Sequence, residues 1–112
     1  MIKTTAVVVS LSIMTAAAHA QPMVVSWYGE PQKMANGERF RPGDPTIAAH
    51  KSWPLGTRIR VYSPITKKSL DMTVQDRGPY IRGRSLDVSQ AAAAVLGLFG
   101  PGVATLEVER LD

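Results

Sequence analysis

The chain has 112 residues, no cysteine and a formal net charge of +4 from 13 basic and 9 acidic side chains. The missing thiols exclude a disulfide framework, thiolate catalysis, thiolate zinc sites and lipidation at cysteine, and so small a positive surplus is unlike the basic stripes of nucleic-acid binders. The length fits one domain, and a chain of this size buries only about 60–65% of its unfolded surface, so it needs a closed or well-packed architecture.

Lys3, the apolar run from Ala6 to Met14 and the small residues around Ala18-His19-Ala20 read as an export signal cleaved after Ala20. That run is shorter than the roughly 20 residues a membrane-spanning helix needs, and no later stretch approaches that length. Residues 1–20 are therefore expected as a signal peptide and 21–112 as the mature domain, located in the periplasm or secreted, without stable membrane insertion. Removing the leader lowers the formal charge to about +3. His19 leaves with it, and His50 becomes the only mature histidine. A multi-histidine metal site is excluded, the carboxylates show no ligand spacing, and neither metal nor cofactor is expected.

Met23 to Tyr28 is β-branched and aromatic and ends at Gly29, which predicts a strand. A polar loop follows to about Pro45, with the turn pairs Asn36-Gly37 and Pro42-Gly43. Thr46 to His50 fits a short strand or a single turn. From Thr57 to Tyr62, Ile59 and Val61 alternate with Arg58 and Arg60, and from Leu70 to Gln75 the apolar Leu70, Met72 and Val74 alternate with polar residues. Both patterns predict half-buried strands. Asp76-Arg77-Gly78-Pro79 ends the second abruptly. Ser85 to Val88 is a further short strand, Ser89 is placed to cap a helix over Gln90 to Leu96, and Gly97 suits its C-terminal stop. Val103 to Leu111 alternates again and closes the chain. Short strands around one helix, without a βαβ rhythm, predict a small β-barrel.

Among the acids, Asp71, Glu107 and Glu109 fall on polar strand faces, whereas Asp76 and Asp87 end or interrupt apolar strands. There a carboxyl can be partly desolvated and keep its proton near neutral pH, as a general acid must. Bland readings stand beside this. Asp76 fits an Asx turn, Asp87 a backbone contact near the helix start, Glu38 a solvated turn, and His50 a hydrogen-bonded structural role. Trp27, Tyr28, Trp53 and Tyr80 suit either a core or a platform for sugar rings.

Six segments in order, Ser26-Trp27-Tyr28-Gly29, Ala35-Asn36-Gly37-Glu38-Arg39-Phe40, Ala48-Ala49-His50, Pro54-Leu55-Gly56-Thr57, Asp76-Arg77-Gly78-Pro79-Tyr80 and Gly83-Arg84-Ser85-Leu86-Asp87-Val88-Ser89, resemble the motif series of the rare lipoprotein A family. The Asp76 and Asp87 signature is also similar to that of expansins and of the membrane-bound lytic transglycosylase A barrel. The resemblance implies a mainly β fold, a six-stranded double-psi β-barrel with one short helix. It implies an endolytic lytic transglycosylase, which cleaves the bond from N-acetylmuramic acid to N-acetylglucosamine without water and leaves 1,6-anhydro ends. Matched to the motifs, Asp76, Asp87, Glu38 and His50 take the catalytic positions, with Tyr28, Trp27, Arg77, Tyr80 and Trp53 expected to contact substrate. The expected partner is the peptidoglycan glycan strand, including strands stripped of stem peptides, met by a monomer with no lipid anchor and no nucleic-acid partner. Alternatives are a non-catalytic expansin-like module that binds and loosens wall glycan, and a secreted protein-binding barrel.

Overall fold

A computed structural model of the chain describes residues 20–111. Apart from Ala20, the expected signal peptide lies outside the described residues. Six strands, β1 (Gln21–Tyr28), β2 (Ile47–Ala49), β3 (Arg58–Ser63), β4 (Lys68–Asp76), β5 (Leu86–Ser89) and β6 (Ala104–Arg110), close into a barrel in the order β1-β5-β2-β4-β3-β6. One helix among the described residues, α1 (Gln90–Leu96), leaves directly from the end of β5. The mainly β barrel with a single short helix expected from the sequence is the architecture observed. The ambiguous segment around Ile47 to Ala49 is a strand because it is clamped on both sides, by β4 and by β5.

Pairing is mixed. Strands β1 and β5 run parallel, as do β2 and β4, and the remaining neighbours are antiparallel. Alternation along each strand sends Val25, Ile59, Val61, Met72, Val74, Leu86, Val88, Leu106 and Val108 inward, where all are buried, and Ala92, Ala93 and Leu96 of α1 join the same core. A smaller cluster of Met34, Phe40 and Ile47 packs against Tyr28 and fixes the long loop between β1 and β2 to the barrel wall.

Helix α1 is set by its caps. Ser89 is extended and its hydroxyl accepts from the Ala92 N–H, while Gly97 at φ 77° turns the chain out of the helix, its N–H donating to the Ala93 carbonyl. The buried hydroxyls are all used: Ser26 donates to Asp87, Thr57 to the Pro54 carbonyl, Ser63 to the Leu96 carbonyl and Ser89 to the Asp44 carbonyl. No described helix is long and apolar enough to cross a membrane.

Candidate active site

Strand β2 brings the two conspicuous aspartates together. Its last residue, Ala49, pairs with Asp87 of β5 on one side and with Asp76 of β4 on the other. Directly paired residues point to the same sheet face, so the two carboxyl groups flank one methyl group. Ala48, the preceding residue, faces inward with its partners Val74 and Val88, which turns Ala49 and both aspartates away from the core. Regular alternation from Met72 and Val74 would have sent Asp76 inward. A register shift between Ala48 and Ala49 skips Gln75 and re-aims Asp76 outward, the usual consequence of a β-bulge.

The face they share is the floor of a groove of about 430 Å³, roofed by the loop between β1 and β2 and by the loop between β4 and β5. Trp27, Tyr28, Arg77 and Tyr80 line it with both aspartates. Tyr80 is 77% exposed and stands at its mouth. Glycine at φ 123° and the cis peptide bond between Gly78 and Pro79 set the path of the second loop out of β4. Tyr28 stacks on Phe40 with ring centroids 4.2 Å apart, which holds the phenol over Asp76.

The aspartates have different surroundings. At Asp76, Oδ1 accepts the N–H groups of Ala35 at 2.9 Å and Arg77 at 2.8 Å, and Oδ2 accepts the Tyr28 hydroxyl at 3.3 Å. Burial and the neighbouring Asp76 hold the Tyr28 phenol protonated well above its usual range. Asp87 accepts one hydrogen bond, from the Ser26 hydroxyl at 2.5 Å, its register partner on β1. Burial pushes the Asp87 carboxyl above the usual aspartate range; the Ser26 bond and Arg84 pull it down, and Asp76 adds to the rise. Desolvation wins, and Asp87 is the carboxyl that favours keeping a proton.

The remaining expected residues lie outside the groove lining. His50 follows Ala49 and its N–H donates to the Asp76 carbonyl, but its Nδ1 accepts the N–H groups of Ser52 and Trp53, and its ring stacks on Trp53 at 3.9 Å. Burial, then Arg110, Arg77 and Lys51, lower its pKa and favour neutral imidazole. Trp53 packs on the core and carries the Arg110 guanidinium over its ring, 5.0 Å from the centroid. Arg77 ties this layer to the floor, its Nη1 donating to the carbonyls of His50 and Trp53. Glu38 is exposed in the turn after Asn36, whose side chain accepts the Glu38 N–H. Sequence reasoning assigned no role to Ser26, Ala49, Lys33 or Arg84. Ser26 falls in the outward phase of β1 between Val25 and Trp27 and is nevertheless buried, which only the pairing of β1 with β5 reveals.

Residues 20–108 match the family model described as a lytic transglycolase. The Nostoc protein named "Probable endolytic peptidoglycan transglycosylase RlpA" is 44% identical over 93 residues, which are 79% of this chain and 25% of that protein. "Endolytic peptidoglycan transglycosylase RlpA" of Rickettsia felis is 39% identical over 92 residues, covering 77% of this chain and 40% of its own length. The Neisseria meningitidis serogroup B protein of that name is 39% identical over 89 residues, 77% of this chain and 37% of its own. The chain thus spans between a quarter and two fifths of the length of these curated relatives. Among solved structures, the Streptomyces papain inhibitor superposes with a TM-score of 0.67 at 20% identity, over 82% of this chain and 96% of the inhibitor, a likeness of fold.

Proposed function

The chain belongs to the lytic transglycolase family, and from that premise we propose that it cleaves peptidoglycan glycan strands internally by transglycosylation, with Asp87 as the acid and base. The observation that carries this reading is the register around Ala49, which sets a proton-retaining carboxyl and a second, hydrogen-bonded one in the same groove. Asp87 gives its proton to the glycosidic oxygen, and the C1–O bond breaks with its electron pair leaving on that oxygen. The positive charge that develops at C1 and the ring oxygen of N-acetylmuramic acid is met by the Asp76 carboxylate, held still by two backbone N–H groups and Tyr28. The C6 hydroxyl oxygen then attacks C1, and its proton passes to Asp87, which restores the acid and leaves a 1,6-anhydro end. No water is consumed, and one carboxyl serves both half-reactions.

Trp27 and Tyr80 offer the saccharide apolar ring faces, and Arg77 fixes the floor. His50 and Trp53 support Arg77 through their carbonyls. The reading implies export across the cytoplasmic membrane, since the polymer lies outside the cytoplasm. Its test is mass spectrometry of purified sacculi and of peptide-free strands after incubation with the protein. Anhydro-muramyl ends that vanish with Asp87→Asn are expected; binding to sacculi with no such ends from the unaltered protein leaves a wall-binding barrel instead.

A further inference from the structure

Deepening the glycan reading above, and resting on it, we propose that Lys33 and Arg84 form a carboxylate-binding pair that recognises an acidic substituent of the saccharide. Five charged side chains line the groove: Asp76, Asp87, Lys33, Arg77 and Arg84. Arg77 is spent on the carbonyls of His50 and Trp53. Among the described residues the ion pairs are Arg41 with Asp44 and Arg60 with Asp71, so neither Lys33 nor Arg84 closes one, although two carboxyl groups share their groove. The two cations come from the two loops that roof the groove, and each backbone is anchored nearby. Lys33 bridges to Arg39, and the Gln32 carbonyl accepts the N–H of the buried Phe40 at 2.7 Å. Ser85, next to Arg84, donates its N–H to the Val24 carbonyl at 2.8 Å.

A cation beside the acid is a handicap if the groove accepts only neutral sugar. Arg84 opposes the proton on Asp87. An anion bound to Arg84 cancels that field, so a substrate carboxylate both gains a charge-assisted partner and relieves the acid. A guanidinium matches a carboxylate bidentately and an ammonium adds a point charge, which together suit one acidic group held between two loops. That group has two sources on a wall glycan: the lactyl carboxylate of an N-acetylmuramic acid without peptide, or a carboxylate of a peptide stem.

Calorimetry on the Asp87→Asn protein separates binding from turnover. Four probes are titrated: a neutral N-acetylglucosamine tetramer, a tetrasaccharide alternating N-acetylglucosamine with N-acetylmuramic acid, its lactyl methylamide, and the same tetrasaccharide bearing peptide stems. The free acid is expected to bind about tenfold tighter than the methylamide, and Lys33→Gln with Arg84→Gln to abolish that preference while leaving the methylamide affinity unchanged. A peptide-bearing probe that binds tighter still, and loses this in the double variant, assigns the carboxylate to the stem. Equal affinity for the acid, the methylamide and the peptide-bearing probe overturns the pair alone. If no saccharide binds, the glycan reading falls with it.

Discussion

At the scale of single residues, Asp87 stands between two charges of opposite sign, so replacing either moves its proton in a known direction. Arg84 lowers its pKa and Asp76 raises it. Activity that requires a protonated Asp87 must therefore fall at higher pH in Arg84→Gln and at lower pH in Asp76→Asn. The measurement is the basic limb of the kcat/KM profile, and movement of both limbs in one direction would remove Asp87 from the acid role. Asp87→Asn itself should lower the rate by about 10²–10⁴-fold, the usual worth of a general acid. It should also make the fold more stable at neutral pH. A carboxyl whose folded pKa is raised binds more protons folded than unfolded, so stability declines as pH climbs from the unfolded value through the folded one. Asparagine carries no such charge and still accepts from Ser26. Thermal melts of the two proteins should differ most at about pH 7 and converge at about pH 3, where both side chains are neutral.

At the scale of elements, what was legible depended on whether the information was local. Helix α1 could be read to the residue because cap, helix and stop are consecutive: Ser89, the alanine run and Gly97. Strand identities followed from alternation, as in Arg58 to Ser63, where exposed and buried positions alternate without a break. Strand partners did not follow, because Ser26 meets Asp87 and Ala49 meets Asp76 across long intervals of chain. The bulge that re-aims Asp76 leaves one trace, a carboxylate in the inward phase after Met72 and Val74, and an Asx turn explains that trace equally well. Glu38 and His50 were singled out by motif, while their outward placement depends on loop packing that no local pattern encodes. The cap makes a quantitative prediction. Ser89 accepts from Ala92 and also donates to the Asp44 carbonyl, so Ser89→Ala should cost about 1–2 kcal/mol, at or above the usual cap value. Gly97→Ala should cost at least as much, since φ is 77° and the new Cβ would lie 2.8 Å from the Thr66 methyl. Urea denaturation measures both.

At the scale of the molecule, closure substitutes for cross-links. With no cysteine in the chain, the barrel depends on β6, which pairs with β1 on one side and β3 on the other and places Leu106 and Val108 in the core. Losing that strand would expose two edges and open the core at once. In the strand order, β6 lies across the barrel from β2, whose flanks carry Asp76 and Asp87. The closing strand and the proposed catalytic carboxyls thus lie on opposite walls, so a core truncation in β6 tests whether stability and turnover can be separated. Leu106→Ala removes a fully buried side chain and should cost about 2–5 kcal/mol. That is a large share of the roughly 5–15 kcal/mol typical of a small domain. Unfolding should therefore shift to markedly lower denaturant while kcat/KM per folded molecule, measured well below the transition, stays at the parent value. A Leu106→Ala protein that remains folded but loses turnover would show that the groove is not insulated from the far wall, and that its geometry is a property of the whole closed barrel rather than of β5, β2 and β4.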